Sequence, residues 1–252
     1  MKTHFWFYVI LLFVQPSFAQ PQEKPASGQL WYCFVETVDP ARLDDYRGMS
    51  IELAALAQEH DFPFAFYVWA TRGMDYQVWY PVQSMDDIQK IESAWEKLMG
   101  KWGEYKAREF GKTKLNNFSF TLTTQKDLCY EPENPAAEAH GFEFCQMQEF
   151  YLVSHMQNEL KEVIREANKI LAAHDYPDAW YYGQAGVGVN LPALFSWSYA
   201  TDMITFLEQE KKFQEQYGEL FEPLYQQFSS CIKSVKITDL FYVKAFSYEK
   251  AH

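Results

Sequence analysis

The sequence predicts an α+β protein that runs through one βαββαβ plan twice. Three pairs of sequence tags point to this. "HDFP" at 60–63 returns as "HDYP" at 174–177, "WGEY" at 102–105 as "YGEL" at 217–220, and "DLCY" at 127–130 as "DLFY" at 239–242. The offsets are 114, 115 and 112 residues, so the tags keep their order over a period about the size of one small domain and too long for a solenoid repeat. Between the tags, short aromatic and β-branched runs alternate with segments of helical periodicity.

The first half opens with "WYCFVETV" (31–38), a strand by composition. Asp39 followed by Pro40 offers an N-cap with proline at the first helical position, and a helix is expected to about Glu59. "FAFYVWAT" (64–71) is the second strand, "RGMD" a turn and "YQVWYPV" (76–82) the third strand. Ser84, with Asp87 three residues on, opens the next helix, whose apolar face is Ile88, Ile91, Trp95, Leu98 and Trp102. A further short helical stretch precedes the last strand, "FSFTLTT" (118–124).

The second half predicts a strand over 146–153, a Ser154 cap, a helix to about Ala173, strands over 179–185 and 193–199, and a Thr201 cap with a helix from Asp202. Pro223 suits the start of a short extra helix before the final strand. "GQAGVGVN" (183–190) reads as a hairpin turn, since no helix signal follows it. The two units are placed at 30–130 and 145–252, with an acidic, Pro- and Ala-rich linker over 131–144. In both halves the histidine (His60, His174) falls in the last helical turn and the proline after it forbids continuation, so the repeated tag is helix-to-strand punctuation.

Residues 1–19 have the form of a secretory signal peptide: Lys2, an apolar run from Phe5 to Val14, and small residues at Ser17 and Ala19. The apolar run is short of the ~20 residues a membrane span needs. The mature chain is therefore expected to be exported, to the periplasm or beyond, with no membrane association after cleavage. The formal charge of −12 becomes more negative by one when Lys2 is removed, which argues against nucleic acid as a partner. The four cysteines match no metal-ligand spacing, and no CxxC, HExxH, GxSxG, P-loop or GxGxxG occurs. Cys129 and Cys145 flank the linker, and a disulfide there would close a loop of about 15 residues, worth roughly 3 kcal/mol. Cys33, among apolar neighbours, is expected to stay a buried thiol.

Two βαββαβ halves in one chain resemble the ferredoxin-like dimeric α/β-barrel superfamily in its fused, tandem form, which includes antibiotic-biosynthesis-type monooxygenases, NIPSNAP-like proteins and the chlorite dismutase group. The resemblance rests on element order and the internal repeat over nearly the whole mature chain. It implies two four-stranded sheets facing each other as a barrel, with helices outside. It also implies that one chain replaces the usual homodimer, so a monomer is expected.

Side-chain alternation puts Tyr32, Phe34 and Glu36 on one side of the first strand. If Asp39 and Ser154 are equivalent caps, Met147, Glu149 and Tyr151 match them, and one glutamate in each half points the same way among bulky apolar groups. Carboxylates in such surroundings suit acid–base work, so Glu36 and Glu149 are the candidate catalytic pair, weighed against strand-end positions with their heads in water. Tyr67, Trp69, Trp79, Trp180, Tyr181 and Trp197 are the candidate ligand-binding wall, weighed against ordinary core packing. Trp95, Met99, Trp102, Phe206, Phe213 and Tyr217 read as core stripes.

Three functions compete. The first is a cofactor-independent protein that binds or transforms a small apolar or aromatic molecule. The second is a non-catalytic exported interaction module. The third, implied by the resemblance to the chlorite dismutase group, is a haem protein. It meets the difficulty that His155 and His174 are the second-half histidines before His252 and that no arginine lies in a second-half strand. No metal or other cofactor is expected.

Overall fold

The computed structural model describes residues 28–133 and 142–250. The expected signal peptide and most of the expected linker lie outside them. The order is β1 (Leu30–Val38), α1 (Leu43–Glu59), β2 (Tyr67–Thr71), β3 (Asp75–Val82), α2 (Asp86–Trp102), α3 (Glu104–Gly111) and β4 (Lys114–Thr124). It continues with β5 (Phe144–Leu152), α4 (Gln157–Ala173), β6 (Tyr181–Ala185), β7 (Ala193–Ala200), α5 (Met203–Ser230) and β8 (Ile232–Tyr242). All eight strands close into one barrel in the order β1-β3-β2-β8-β5-β7-β6-β4, and every ladder is antiparallel. The fold is therefore α+β, a closed eight-stranded barrel with five helices among the described residues.

Local chemistry explains most boundaries. Asp39 accepts from the Ala41 amide at 2.9 Å, and Pro40 starts a single 3-10 turn that leads into α1. Asp87 accepts from the amides of Gln83 and Ser84 at 2.9 and 3.1 Å, which is the returning half of a capping box. Both His-Asp-aromatic-Pro tags end a helix in the same way. His60 and His174 are C-caps, Asp61 and Asp175 take positive φ (47° and 48°), and the next amide reaches back five residues. Those bonds are Phe62 N–H to Ala57 O at 2.9 Å and Tyr176 N–H to Leu171 O at 3.1 Å. This is a Schellman closure with aspartate at the left-handed position.

Three local expectations are corrected. Ser154 is not a cap; it lies in a turn, and α4 begins three residues later without a side-chain cap. Asp202, not Thr201, caps α5, accepting from the Thr205 amide at 2.9 Å. Pro223 starts no new helix but sits inside the 28 residues of α5. Proline removes one intrahelical bond, and the freed Glu219 carbonyl belongs to an exposed residue that water can serve. In the first half the corresponding break is made by Gly103, whose φ of 101° separates α2 from α3.

The barrel wall has two faces. Cys33, Val35, Trp79, Phe120, Leu122, Met147, Phe195 and Leu240 point into the lumen. Outward-pointing Tyr32, Val68, Tyr80 and Val82 pack under α1 and α2 with Tyr46, Leu53, Ile91 and Leu98. In the second half Phe150, Leu152 and Leu194 pack against Leu160 and Ile164 of α4. The β1–β4 and β5–β8 ladders each shift register at one bulge, between Thr37 and Val38 and between Tyr151 and Leu152, 114 residues apart.

A polar cluster at the end of an apolar pocket

That register decides where the two glutamates go. At the 114-residue offset, Glu36 matches Phe150 and Val35 matches Glu149. A slip of one residue exchanges the faces of a strand. The expectation that Glu36 and Glu149 face the same way is thus overturned, and its cause is the mistaken equivalence of Asp39 and Ser154. Glu36 points outward, under α1. Glu149 points into the lumen between Met147 and Tyr151, where its charge bears on the Cys33 thiol. Both are buried, at 6% and 8% exposure.

Glu36 stands at one end of a cavity of about 500 Å³ between the outer face of the β1–β3 sheet and helices α1 and α2. Phe34, Phe66, Val78, Trp95 and Met99 supply apolar walls. The Tyr46 hydroxyl donates to Glu36 Oε2 at 2.8 Å, and Lys114 Nζ donates to Oε1. The Lys114 ammonium also lies 3.8 Å from the centroid of the Phe110 ring. Burial, then the Glu36 charge, pushes the Tyr46 phenol well above its ordinary range, so it stays a donor. At the side of the cavity, Tyr80 Oη accepts from Trp95 Nε1 at 2.8 Å, and burial pushes that phenol up too.

The cluster can therefore bind and can exchange a proton. Lys114 uses one of its three N–H bonds on Glu36, leaving donors for an anionic or carbonyl group on a ligand. Glu36 is an acceptor placed to take a proton from a hydroxyl or an activated carbon brought against it. Glu149 is held differently: Lys236 Nζ donates to Oε1 at 2.8 Å from a side chain that is 57% exposed, and Tyr151 donates to Oε2 at 3.0 Å.

The six candidate wall residues divide. Tyr67, Trp69, Trp79 and Trp197 line a lumen cavity of about 470 Å³. Tyr181 stacks on Trp197, centroids 5.8 Å apart. Trp180 is corrected: as the neighbour of Tyr181 it faces outward, packing on Phe213 of α5 at 5.1 Å. It lines a third cavity, of about 500 Å³, under α4 and α5. No ligand wall therefore unites the six, nor do they meet Glu36.

Sequence reasoning missed Tyr46 and Lys114. Tyr46, Ser50, Leu53 and Ala57 are buried at helical spacing along α1, a stripe that marks Tyr46 as inward-facing. Lys114 follows a helix C-terminus at the very start of β4 and carries no such signal. Trp95 and Met99 pack against the core as the expected stripe and also line the cavity.

Cys33 is the buried thiol expected, and the Cys129–Cys145 bridge is corrected. All four are free thiols. Cys145 points into the lumen, whereas Cys129 lies outside the wall with its sulfur against the Gln125 and Tyr182 carbonyls at 3.3 and 3.7 Å, so the expected bridge does not form.

No protein-family model matches the sequence, and no curated protein sequence matches it. Solved structures do match in fold. One is an anthrone oxidase-like protein, with TM-score 0.57 and 10% identity over 87% of this chain and 93% of that one. Another is a candidate monooxygenase from Fusobacterium nucleatum, with TM-score 0.55 and 12% identity over 90% and 100% of the two chains. A third is a haem-binding protein from Thermus thermophilus, with TM-score 0.52 and 10% identity over 87% and 92%. These neighbours are dimeric α/β-barrel folds, and the closed antiparallel barrel described above is of that kind.

The two helix–sheet cavities offer haem no histidine or cysteine ligand among the described residues, and His60, His155 and His174 lie at helix ends and in a turn. No three His, Cys, Asp or Glu side chains gather as metal ligands among the described residues.

Proposed function

We propose that this chain is an exported small-molecule-binding barrel, built as a tandem pair of ferredoxin-like repeats with a boundary in the 131–144 linker. Its site is the cavity between the first-half sheet and α1 and α2. The ligand has an apolar or aromatic body carrying one hydroxyl, carbonyl or carboxylate, which meets Glu36, Tyr46 and Lys114. The carrying observation is the buried Tyr46–Glu36–Lys114 cluster at one end of a mainly apolar cavity, which Ser50 and the exposed Glu92 and Glu96 also line. Pockets of this size and lining, with a few convergent polar groups, are what small-molecule sites look like.

If the bound molecule is turned over, Glu36 is the group that takes or gives the proton, Tyr46 fixes one carboxylate oxygen, and Lys114 steadies negative charge developing on the ligand. Export rests on the residue pattern of 1–19, and N-terminal sequencing of secreted material checks it. Because one chain closes all eight strands, the functional unit is taken to be a monomer, and light scattering tests this.

Native mass spectrometry of the purified chain tests the ligand site. The reading expects a bound apolar small molecule to be retained by the wild type and lost from Ala54→Trp, which fills the cavity from α1. Equal retention by both proteins contradicts it.

A further inference from the structure

The lumen cavity is a second, separate space. Phe66 and Val68 of the β2 segment line the helix–sheet pocket, whereas Tyr67 and Trp69, alternating with them, line the lumen. From its lining we infer that the mouth of the barrel lumen binds an organic cation of the quaternary-ammonium class.

The walls are π-faces. Trp69 lies 5.1 Å from Tyr242, 5.9 Å from Tyr199 and 6.3 Å from Phe142, centroid to centroid, with the Phe142 ring stacked parallel to it. Two of the four lining indoles spend their donors on the protein: Trp31 Nε1 donates to Thr124 at 3.2 Å and Trp79 Nε1 to Gln77 at 3.1 Å. Among the described residues no lysine or arginine lines the space, and the one charged lining residue is Glu249. Glu249 Oε1 accepts from the Tyr242 hydroxyl at 3.5 Å, and its charge also bears on Tyr67.

These features select the ligand class. An anion would meet ring faces of the same sign and a carboxylate. A trimethylammonium group needs no hydrogen bonds, is weakly hydrated, and is attracted both by aromatic faces and by the glutamate. The formal charge of −12 raises the local concentration of cations around the whole chain.

The test compares choline with 3,3-dimethylbutan-1-ol, its uncharged isostere, using tryptophan fluorescence and calorimetry on the intact protein. Choline is expected to bind about tenfold more tightly than the neutral compound, a ratio in the range of a desolvated cation–π contact. Glu249→Gln should narrow that ratio, and Trp69→Leu should remove saturable choline binding while the thermal melt remains cooperative. Equal or tighter binding of the neutral compound overturns the inference. So does an absence of saturable choline binding, or choline binding unchanged in Trp69→Leu. Ala54→Trp, which acts on the other face of the wall, should leave choline binding intact, so the two sites can fail independently.

Discussion

The Tyr46 hydroxyl donates to Glu36 Oε2 at 2.8 Å, so a residue of α1 and a residue of β1 meet at a buried carboxylate. The bond holds the helix against the sheet as well as preparing the pocket. Tyr46→Phe should cost about 2 kcal/mol, the range for a hydrogen bond to a charged group, read as a lower midpoint in urea. A midpoint equal to wild type would show that the phenol contributes only packing.

Lys114 and Lys236 should respond differently to the same change. The Lys114 side chain is 16% exposed against a Glu36 side chain at 7%, so Lys114→Met strands a buried charge at a cost of on the order of 3 kcal/mol. Lys236 is 57% exposed and water can replace it at Glu149, so Lys236→Met should cost below about 1 kcal/mol. Reversed magnitudes in denaturant melts would mean that the roles of the two glutamates have been assigned the wrong way round.

Alkaline stability follows from the buried phenols. Burial raises Tyr46, Tyr80, Tyr176 and Tyr182 above the ordinary tyrosine value of about 10. A folded value above the unfolded one contributes stability that is whole below about pH 10 and is lost as pH climbs towards the folded values. Absorbance at 295 nm should therefore show a late fraction of phenols ionising together with loss of circular dichroism. A single smooth step in protein that stays folded would contradict this.

Thiol chemistry separates the described arrangement from a bridged one. Burial pushes Cys33 and Cys145 up strongly and Cys129 to about 11, so all three should react slowly with iodoacetamide in the native state. In denaturant without reductant, four adducts are expected. Two adducts would restore the Cys129–Cys145 disulfide.

Much of the architecture was legible in the residues because helix and strand punctuation is local. The Asp39-Pro40 start and the two His-Asp-aromatic-Pro stops act within a few residues of themselves. The start of β4 was harder. Lys114–Asn117 have little strand propensity and are held by pairing with β1, contacts made across 76 to 81 residues (Val38 with Lys114, Glu36 with Asn117). The surroundings of the candidate acids were hidden for the same reason. Glu36 was visible as an acid among aromatics, but its partners come from α1 and from β4. The face of Glu149 turned on a one-residue register that Ser154, a cap in composition but not in structure, set wrongly. Separating the aromatics into three cavities likewise needs the closed barrel, because Trp180 and Tyr181 are adjacent in sequence and lie on opposite sides of the wall.

Calorimetric titration with 1-naphthol tests the central claim most directly, since it pairs a flat apolar body with a single hydroxyl for Glu36. The account predicts saturable binding with a negative heat-capacity change, weakened by Glu36→Gln and abolished by Ala54→Trp in a chain that still melts cooperatively. Binding that persists unchanged in Ala54→Trp, or no saturable heat in the wild type, would contradict it.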